Sequence, residues 1–341
     1  MDARFVRQTR FAPFGAEGQA NLGRARVLVV GCGALGGALA QSLHRAGVGE
    51  LVLVDRDVVE ESNLPRQVLF DAEHAARRTP KVEAAKESLL RVGGPTRVEA
   101  VVAHLDAALL HRLGRRADLV LDGTDNLATR YLVNDFAVRR GVPWVYGGVV
   151  GSGGIAMAIV PGGPCLRCLF PEPAPAGTLP TCDSAGVLQP AVAAIASVQA
   201  GLALRILARR DADLAGAVGG RLVEIDVWHG DARTLVLDRD PSCPCCAKGE
   251  FPFLADSSAQ GAEILCGRNA VQVPPSAGAP DLDALAARLA GAAVRDVARA
   301  DGLLRFATDG LAVTVFSDGR ALVEGTEDVH LALAVRDRLL S

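Results

Sequence analysis

The sequence predicts an α/β fold, in which helices cover both faces of a mixed sheet, followed by a small α+β module. From residue 26, short β-branched runs alternate with longer runs rich in Ala and Leu, which is typical of a sheet with crossover helices. Near residue 250 the stretch KGEFPFLADSSAQGAE interrupts this pattern and reads as a linker. We therefore expect one domain over residues 1–249 and a second over residues 250–341.

Short apolar runs rich in β-branched residues give the strands of the first domain. The parallel strands are predicted at Arg26–Val30, Glu50–Val54, Arg97–Ala103, Asp118–Asp122 and Pro143–Gly147. Later runs are joined by tight or long loops, so we expect them to extend the sheet antiparallel: Gly154–Val160, Arg221–Val227 and Thr234–Leu237.

The remaining elements follow from periodicity and from turn residues. Many Pro and Gly residues between Pro161 and Cys182 predict a long irregular loop. The apolar stretch Leu188–Leu207 contains two Gln, a Pro, a Ser and an Arg, which favours a buried core helix over a membrane span. The second domain should contain an apolar run at Ala262–Val273, a helix at Asp281–Leu289, strands bounded by TDG and SDG, and a last helix at Glu327–Leu340.

Composition narrows the classes of function. The 341 residues are 50% hydrophobic, and the net charge of -3 comes without a Lys/Arg-rich block, so we expect neither nucleic acid nor an anionic membrane as partner. The first ten residues are not followed by an apolar run, which predicts a cytoplasmic protein. Eight cysteines in such a chain indicate metal ligands or reactive thiols rather than disulfides.

A glycine pattern follows the first predicted strand. Gly31, Gly33 and Gly36 lie between this strand and a helix, and Asp55 ends the second strand. In a Rossmann-like sheet this arrangement places backbone amides against a phosphate and a carboxylate against ribose hydroxyls. The alternative is a glycine-rich turn that serves only close packing of helix on strand.

The stretch DRDVVEESNLPRQ, which begins at Asp55, favours ATP over a dinucleotide. A triphosphate requires more cations and donors than two phosphates do. Arg66 and Lys81 can supply charge, and Asn63 and Gln67 can supply neutral donors. We place Asp57, from the same stretch, in the nucleotide site as well.

A magnesium ligand should accompany a triphosphate. The run LVLDGTDN ends the fourth strand with Asp122 and Asp125 at the carboxyl edge of the sheet, where α/β sheets bind ligands. We predict Asp125 as the Mg²⁺ ligand. The alternative is that Asp125 caps the helix that starts near Asn126.

Two CxxC pairs supply the four thiolates of a tetrahedral structural zinc site. They are Cys165 with Cys168 and Cys243 with Cys246. Cys245 could replace a neighbour as ligand, and reduced buried thiols are the alternative to a metal site.

Together these motifs resemble the MoeB/ThiF/HesA family, bacterial relatives of the ubiquitin-activating enzymes. The resemblance covers about residues 4–249 and rests on RFVRQ, GCGALG, DRDVVEESNLPRQ, PKVEAA, DGTDN, CLRC, TCDSAGV and CPCC, in family order. It implies a homodimer that uses Mg-ATP to adenylate the Gly-Gly terminus of a ubiquitin-like sulfur carrier. The pathway would be thiamine or molybdopterin synthesis, or tRNA thiolation.

The resemblance also assigns residues. It implies that ATP and magnesium are held by Gly33, Asp55, Asn63, Arg66, Gln67, Lys81 and Asp125, and it implies the same zinc site. Arg7 resembles an arginine that reaches the neighbouring subunit's site, with a surface salt bridge as the alternative. Cys182 resembles a cysteine that bonds to the carrier or takes part in sulfur transfer from a donor such as a cysteine desulfurase, with a passive loop thiol as the alternative.

The second domain resembles a short extension of some family members through LCGRNAVQV and FSDGRALVEGT. Cys266 in it could accept a persulfide or be a buried strand residue, and the domain could dock the carrier or support a dimer. Other functions for the chain are adenylation of another carboxylate, on a modified tRNA or a peptide, an NAD-dependent oxidoreductase, and a non-catalytic nucleotide-binding scaffold.

Overall fold

A computed structural model describes residues 3–174, 178, 182–209, 213–255, 262–265, 269–275, 280–290, 294–300 and 302–340. The chain divides into two compact units, Met1–Asp256 and Ser257–Ser341, and each is described by itself. The division falls a few residues beyond the boundary that the sequence predicts.

The first unit is built on one mixed sheet. Its strands are β1 (Arg26–Val30), β2 (Glu50–Asp55), β3 (Arg97–Val102), β4 (Leu119–Asp122), β5 (Trp144–Val150), β6 (Gly153–Ile159), β7 (Arg221–Asp226) and β8 (Asp231–Val236). Over the described residues they form an eight-stranded sheet in the order β3-β2-β1-β4-β5-β6-β7-β8. Strands β1 to β5 run parallel, and β6, β7 and β8 add antiparallel, as predicted. The strand order reverses direction between β1 and β4, which is where such sheets bind ligands.

Helices cover both faces of this sheet. They are α1 (Val6–Thr9), α2 (Gly15–Leu22), α3 (Ala34–Ala46), α4 (Ala72–Ala76), α5 (Lys81–Val92), α6 (Ala107–Gly114), α7 (Leu127–Arg140), α8 (Leu166–Leu169), α9 (Cys182–Ala185), α10 (Gln189–Ala208) and α11 (Leu214–Val218). Single turns of 3-10 helix lie at Ala3–Phe5, Glu61–Asn63 and Pro252–Leu254.

Alternate residues of the central strands feed two cores. In β1, Val27 and Val29 pack with α3, α5 and α10, whereas Leu28 and Val30 pack with α6 and α7. All four are buried, because a parallel strand covered on both faces has no solvent side. The predicted α/β class is therefore confirmed.

Helix α10 belongs to the first of these cores. By length and composition alone it could cross a membrane, yet 56% of its most apolar window is buried inside the protein. It packs against β5, β6, α2 and α3, as the prediction of a core helix requires.

Two regions differ in detail from the prediction. Strand β5 continues to Val150, because a tight turn at Gly151 (φ +63°) and Ser152 joins it directly to β6. The loop predicted from Pro161 to Cys182 contains the short helix α8, and residues 175–177 and 179–181 lie outside the described part.

The second unit is an antiparallel sheet with two helices. Its strands are β9 (Glu263–Leu265), β10 (Ala270–Val273), β11 (Arg295–Ala300), β12 (Leu303–Thr308), β13 (Leu311–Phe316) and β14 (Ala321–Glu324), and its helices are α12 (Leu282–Leu289) and α13 (Val329–Leu340). The described strands follow the order β11-β12-β13-β14-β10-β9. The TDG turn supplies the positive φ of Asp309 and Gly310 between β12 and β13. Cys266 lies outside the described residues.

Candidate active site

The glycine loop follows β1, and two of its glycines are required by packing. Gly31 has φ +82°, and a Cβ there would lie 2.8 Å from the backbone of Gly123. A Cβ on Gly36 would lie 1.8 Å from the carbonyl oxygen of Gly31. No side chain fits at either position, so the packing alternative explains these two residues.

Gly33 has a different environment. It is the N-cap residue of α3, and the only described atom within 4 Å of a Cβ there would be Gln67 Nε2, at 3.7 Å. The space beside Gly33 is therefore open at the positive end of a helix, as an approaching phosphate requires. Packing alone does not account for this glycine.

Asp55 joins the glycine loop to the loop after β2. Its Oδ2 accepts a hydrogen bond from the amide of Cys32 at 2.6 Å, and its Oδ1 accepts one from the amide of Asp57 at 2.8 Å. Burial raises the pKa of Asp55, and the charge of Lys81 opposes this shift. Burial also raises the pKa of the Cys32 thiol, so Cys32 is a neutral small residue in this loop.

Lys81 begins α5 and points into the same region. Its side chain is only 6% exposed, and its Nζ lies 3.1 Å from Asp57 Oδ2. The amide of Lys81 also donates to the carbonyl of Asp57 at 2.9 Å. Asp57 thus fixes the place of the lysine, while a direct contact of Asp57 with a nucleotide stays a prediction.

The turn from Glu60 to Gln67 brings three of the predicted residues together. Asn63 is buried and its Oδ1 accepts from the amide of Glu60 at 3.1 Å, while Arg66 Nη1 donates to the carbonyl of Ser62 at 2.8 Å. Gln67 is 5% exposed, and among the described residues its Oε1 has no hydrogen-bond partner. The Nε2 of Gln67, a hydrogen-bond donor, is the atom that lies nearest to the open space at Gly33, where it could donate to a polar ligand.

The loop after β4 carries both predicted aspartates. Asp122 is buried, and its Oδ1 accepts from the amide of Thr124 at 3.0 Å. Asp125 is exposed. Asn126, not Asp125, caps α7, because its Oδ1 accepts from the amide of Thr129 at 2.9 Å. The alternative assignment of Asp125 as helix cap is therefore wrong, and its carboxylate lies in solvent at the carboxyl edge of the sheet.

Sequence reasoning missed a buried polar cluster beneath this loop. Arg130 pairs with Asp122, and Gln199 Nε2 donates to the carbonyl of Asp122 at 2.9 Å. Arg130 also lies over the ring of Tyr146, 5.2 Å from its centroid. Gln199 interrupts an apolar helix, which is the one signal that could have indicated a buried polar contact.

The two CxxC pairs meet in space. The four sulfur atoms of Cys165, Cys168, Cys243 and Cys246 all lie within 4.8 Å of one another. The shortest separations join the two pairs: 3.4 Å between Cys168 and Cys246, and 3.7 Å between Cys165 and Cys243. This spacing fits four thiolates around one tetrahedral ion.

Cys245 lies outside this set of four. Its sulfur accepts a hydrogen bond from Asn134 Nδ2 at 3.3 Å, and Asn134 Oδ1 accepts from the amide of Leu166 at 2.9 Å. Asn134, on α7, therefore touches both CxxC segments. The Cys245 sulfur, then burial and the Cys243 sulfur, raise the pKa of Cys165, so Cys245 interacts with one member of the set. A metal ion would favour the thiolates.

Two predicted residues lie apart from these clusters. Arg7, on α1, is exposed, and its arm is anchored by the buried Phe5 and by Gln8, whose Nε2 donates to the carbonyl of Ala46 at 3.0 Å. Cys182 begins α9, and its side chain is outside the described part. After α9, Gly186–Gln189 face Ser62, Pro65 and Arg66 across a groove of about 540 Å³.

The fold and this site define a nucleotide-binding α/β protein whose loops hold more charge than a dinucleotide needs. The family model named ThiF matches residues 5–245. The chain belongs to the ThiF family, and the resemblance seen in the sequence is confirmed.

Relatives in this family are named adenylyltransferases or activating enzymes of carrier proteins. The chain is 39% identical over 340 residues to the sulfur carrier protein ThiS adenylyltransferase of Bacillus subtilis, with 98% of each chain covered. It is 41% identical to the sulfur carrier protein adenylyltransferase of Thermus thermophilus, over 71% of this chain and 90% of the relative. The SAMP-activating enzyme E1 of Haloferax volcanii is 39% identical over 74% of this chain and 92% of its own length.

Solved structures support the fold. The crystal structure of E. coli MccB with MccA-N7isoASN superposes with a TM-score of 0.62 at 23% identity, covering 72% of this chain and 75% of that one. At this identity the likeness concerns architecture, and it agrees with the Rossmann-like mixed sheet described above.

Proposed function

We propose that this protein is an ATP- and Mg²⁺-dependent adenylyltransferase that activates the C-terminal Gly-Gly carboxylate of a ubiquitin-like sulfur carrier protein. The observation that carries the proposal is the match to the Bacillus subtilis enzyme at 39% identity over 98% of both chains. The open space at Gly33, the Lys81–Asp57 pair and the exposed Asp125 support a site for a metal-bound triphosphate.

The chemistry requires little from the protein beyond alignment and charge. A terminal carboxylate, with a pKa of about 3.5, is ionised at neutral pH and needs no general base. Its oxygen bonds to the α-phosphorus of ATP, and the bond to the bridging oxygen breaks as pyrophosphate leaves with the electron pair. In this proposal Lys81 and Arg66 stabilise the departing charge.

In this proposal Asp125 holds the cation. Its carboxylate is exposed, and Asn126 rather than Asp125 caps α7. A carboxylate oxygen of this kind suits Mg²⁺. Magnesium would neutralise phosphate charge there. Cys165, Cys168, Cys243 and Cys246 would hold a zinc ion that links the segment after β6 to the segment after β8.

Partners and location belong to the same proposal. The carrier serves thiamine or molybdopterin synthesis or tRNA thiolation, and a cysteine desulfurase or another donor supplies the sulfur. Cys182 follows the Pro-rich segment and precedes by four residues Gly186, the first of the residues Gly186–Gln189 that line the groove, which supports a contact with the carrier's tail. We place the enzyme in the cytoplasm as a homodimer in which Arg7 reaches the partner's site.

ATP-pyrophosphate exchange tests the activity. We expect exchange with Mg²⁺ and a carrier that ends in Gly-Gly, and none with a carrier that lacks its last Gly. Asp125→Ala and Arg66→Ala should each lower exchange by about a hundredfold or more, since each removes one preorganised charge.

Arg77→Ala is the matched control, because Arg77 is the C-cap residue of α4, has a side chain 51% exposed, and should leave exchange unchanged. Near-normal turnover by both site variants would reject the site assignment. ATP binding without exchange on any carrier would favour a peptide or tRNA carboxylate, or a scaffold.

A further inference from the structure

The guanidinium of Arg130 lies behind the loop that carries Asp125. Its Nε donates to Asp122 Oδ2 at 3.0 Å, and its Nη2 donates to the carbonyl of Thr124 at 2.6 Å and to the carbonyl of Gly147 at 2.9 Å. The acceptors therefore belong to the end of β4, to β5 and to the loop itself. One planar side chain from α7 connects all three.

The charge of Arg130 is already neutralised within the protein. Its carboxylate partner, Asp122, has a side chain 2% exposed, and the arginine side chain is 11% exposed. The ring of Tyr146 lies on its other side. The Nε and Nη2 of Arg130 are both used by acceptors of the protein itself, so this side chain holds protein groups together, whereas Arg66 donates to a carbonyl of its own turn.

The loop held by Arg130 also touches the glycine loop. A Cβ on Gly123 would lie 2.5 Å from the carbonyl oxygen of Gly31 and 2.6 Å from Gly36 Cα, so the two backbones are in direct contact. Thr124 follows Gly123, and Asp125 follows Thr124. The backbone that leads to Asp125 is therefore restrained at two successive residues. Gly123 packs against the glycine loop, and the carbonyl of Thr124 accepts the hydrogen bond from Arg130.

We infer that Arg130 is a positioning residue, which sets the place of the Asp125 carboxylate relative to the phosphate-binding glycine loop and so sets the affinity for the divalent cation. This inference rests on the proposed function for the assignment of Asp125. In this inference Arg130 does not touch the nucleotide itself. It affects ATP binding only by positioning Asp125, the proposed metal ligand.

Arg130→Lys tests it, because an ammonium keeps the charge but cannot reproduce the planar fork that spans three acceptors. ATP binding is measured by calorimetry across a Mg²⁺ series, without any carrier. We expect the half-saturating Mg²⁺ concentration to rise by about tenfold or more, the range found when a group that orients a metal ligand is lost. Affinity for ATP in EDTA should stay within about twofold, because the glycine loop is unchanged.

Arg167→Lys is the matched control. Arg167 is also buried, with its Nη1 3.8 Å from Asp135 and its guanidinium 5.5 Å from the ring of Phe253. Arg167 lies beside the cysteine cluster, so Arg167→Lys should leave the Mg²⁺ dependence of ATP binding unchanged. Its loss of thermal stability should be similar to that of Arg130→Lys. An equal shift in both variants would mean that general loosening is responsible and would overturn the inference.

A double-mutant cycle with Asp125→Ala separates action through Asp125 from a direct effect. If Arg130 acts through that carboxylate, Arg130→Lys should change Mg²⁺ dependence by less than about twofold once Asp125 is absent. Additive effects would overturn the inference. If Arg130→Lys fails to fold, Asp122→Asn, which weakens the anchor of the guanidinium, takes its place with the same expected direction.

A failure of the Arg130 inference can be distinguished from a failure of the proposed function. A wild-type protein that binds Mg-ATP but supports no exchange contradicts the proposed function and leaves the binding test of Arg130 intact. Normal wild-type exchange together with an unshifted Mg²⁺ dependence in the variant contradicts only the role of Arg130.

Discussion

At the scale of single residues, the three glycines of the phosphate loop lie in two different environments. Gly31 and Gly36 lie against backbone atoms that leave no room for a Cβ, whereas Gly33 has open space beside it. A sequence pattern treats them alike. The structure separates the two glycines that packing requires from Gly33, for which contact with a phosphate stays a prediction.

This difference predicts opposite behaviour of two alanine variants. Gly36→Ala would place a methyl group 1.8 Å from the Gly31 carbonyl oxygen, so we expect loss of the folded state. Gly33→Ala should lower Tm by only a few degrees, about 1 kcal/mol or less, because its Cβ meets little and its φ of −80° is outside the left-handed region. It should nevertheless weaken ATP binding by at least about tenfold by obstructing the phosphate.

Thermal melts and calorimetry of both variants check this. Gly37→Ala, for which the nearest atom to a new Cβ is Leu69 Cδ1 at 3.7 Å, is the control on the same helix. ATP affinity unchanged by Gly33→Ala would show that no phosphate approaches this glycine.

The cysteines give a second prediction for single residues. Cys246 is one of the four clustered thiols, while Cys245 accepts a hydrogen bond from Asn134. Cys246→Ser should lose bound zinc, because one of four ligands becomes a poor one. Cys245→Ser should keep one zinc per chain, since serine still offers Asn134 an acceptor. Metal analysis of the purified proteins measures both, and zinc loss only in Cys245→Ser would reverse the assignment.

At the scale of elements, α7 organises both clusters of the first unit. Asn126 caps its start, Arg130 holds the Asp125 loop, and Asn134 touches both CxxC segments. These residues are spaced four apart, so they lie along one stripe of the helix. The stripe is polar although the helix is largely buried, which explains why its hydrophobic periodicity gave little indication of its role.

Helix α10 is the opposite case, an apolar element interrupted by one important polar residue. Gln199 has no exposed surface and lies against Gly147, where a Cβ would be 2.3 Å from the amide carbon of Gln199. The glutamine donates to the carbonyl of Asp122 at the end of β4 and to the carbonyl of Val145 near the start of β5. The helix therefore supports the end of β4, which leads into the Asp125 loop.

At the scale of the whole molecule, the two units have different relationships to the relatives. The Bacillus subtilis relative matches 98% of this chain, whereas the Thermus thermophilus relative matches 71% of it and is itself 90% covered. The latter match is about as long as the first unit. Adenylyltransferases in this family thus occur with and without a region equivalent to the second unit.

The proposed homodimer makes a prediction at this scale. If Arg7 acts in the partner's site, Arg7→Ala and Asp125→Ala should each be nearly inactive alone. A mixture that exchanges subunits should recover about a quarter of wild-type exchange, because half of the dimers are mixed and each has one intact site. Activity that stays absent after mixing, with mixed dimers verified by native mass spectrometry, would argue that Arg7 acts within its own chain.

The sequence by itself determined the strands, the glycine loop and the CxxC pairs, because these depend on local patterns of apolar, glycine and cysteine residues. It left two assignments open. Which cysteines come together depends on the distance between remote segments, and the structure groups Cys246 with Cys165, Cys168 and Cys243, while zinc binding by these four stays a prediction. Whether Asp125 or Asn126 caps α7 depends on the backbone of the turn, where Asn126 accepts the hydrogen bond from Thr129.

The tertiary structure alone decided the roles of Arg130, Asn134 and Gln199. Each is a polar side chain that burial would penalise unless its partners were already in place. Those partners are carbonyl groups, a carboxylate and a thiol supplied by other elements. No local pattern specifies such contacts, since they exist only after the sheet has paired β4 with β5.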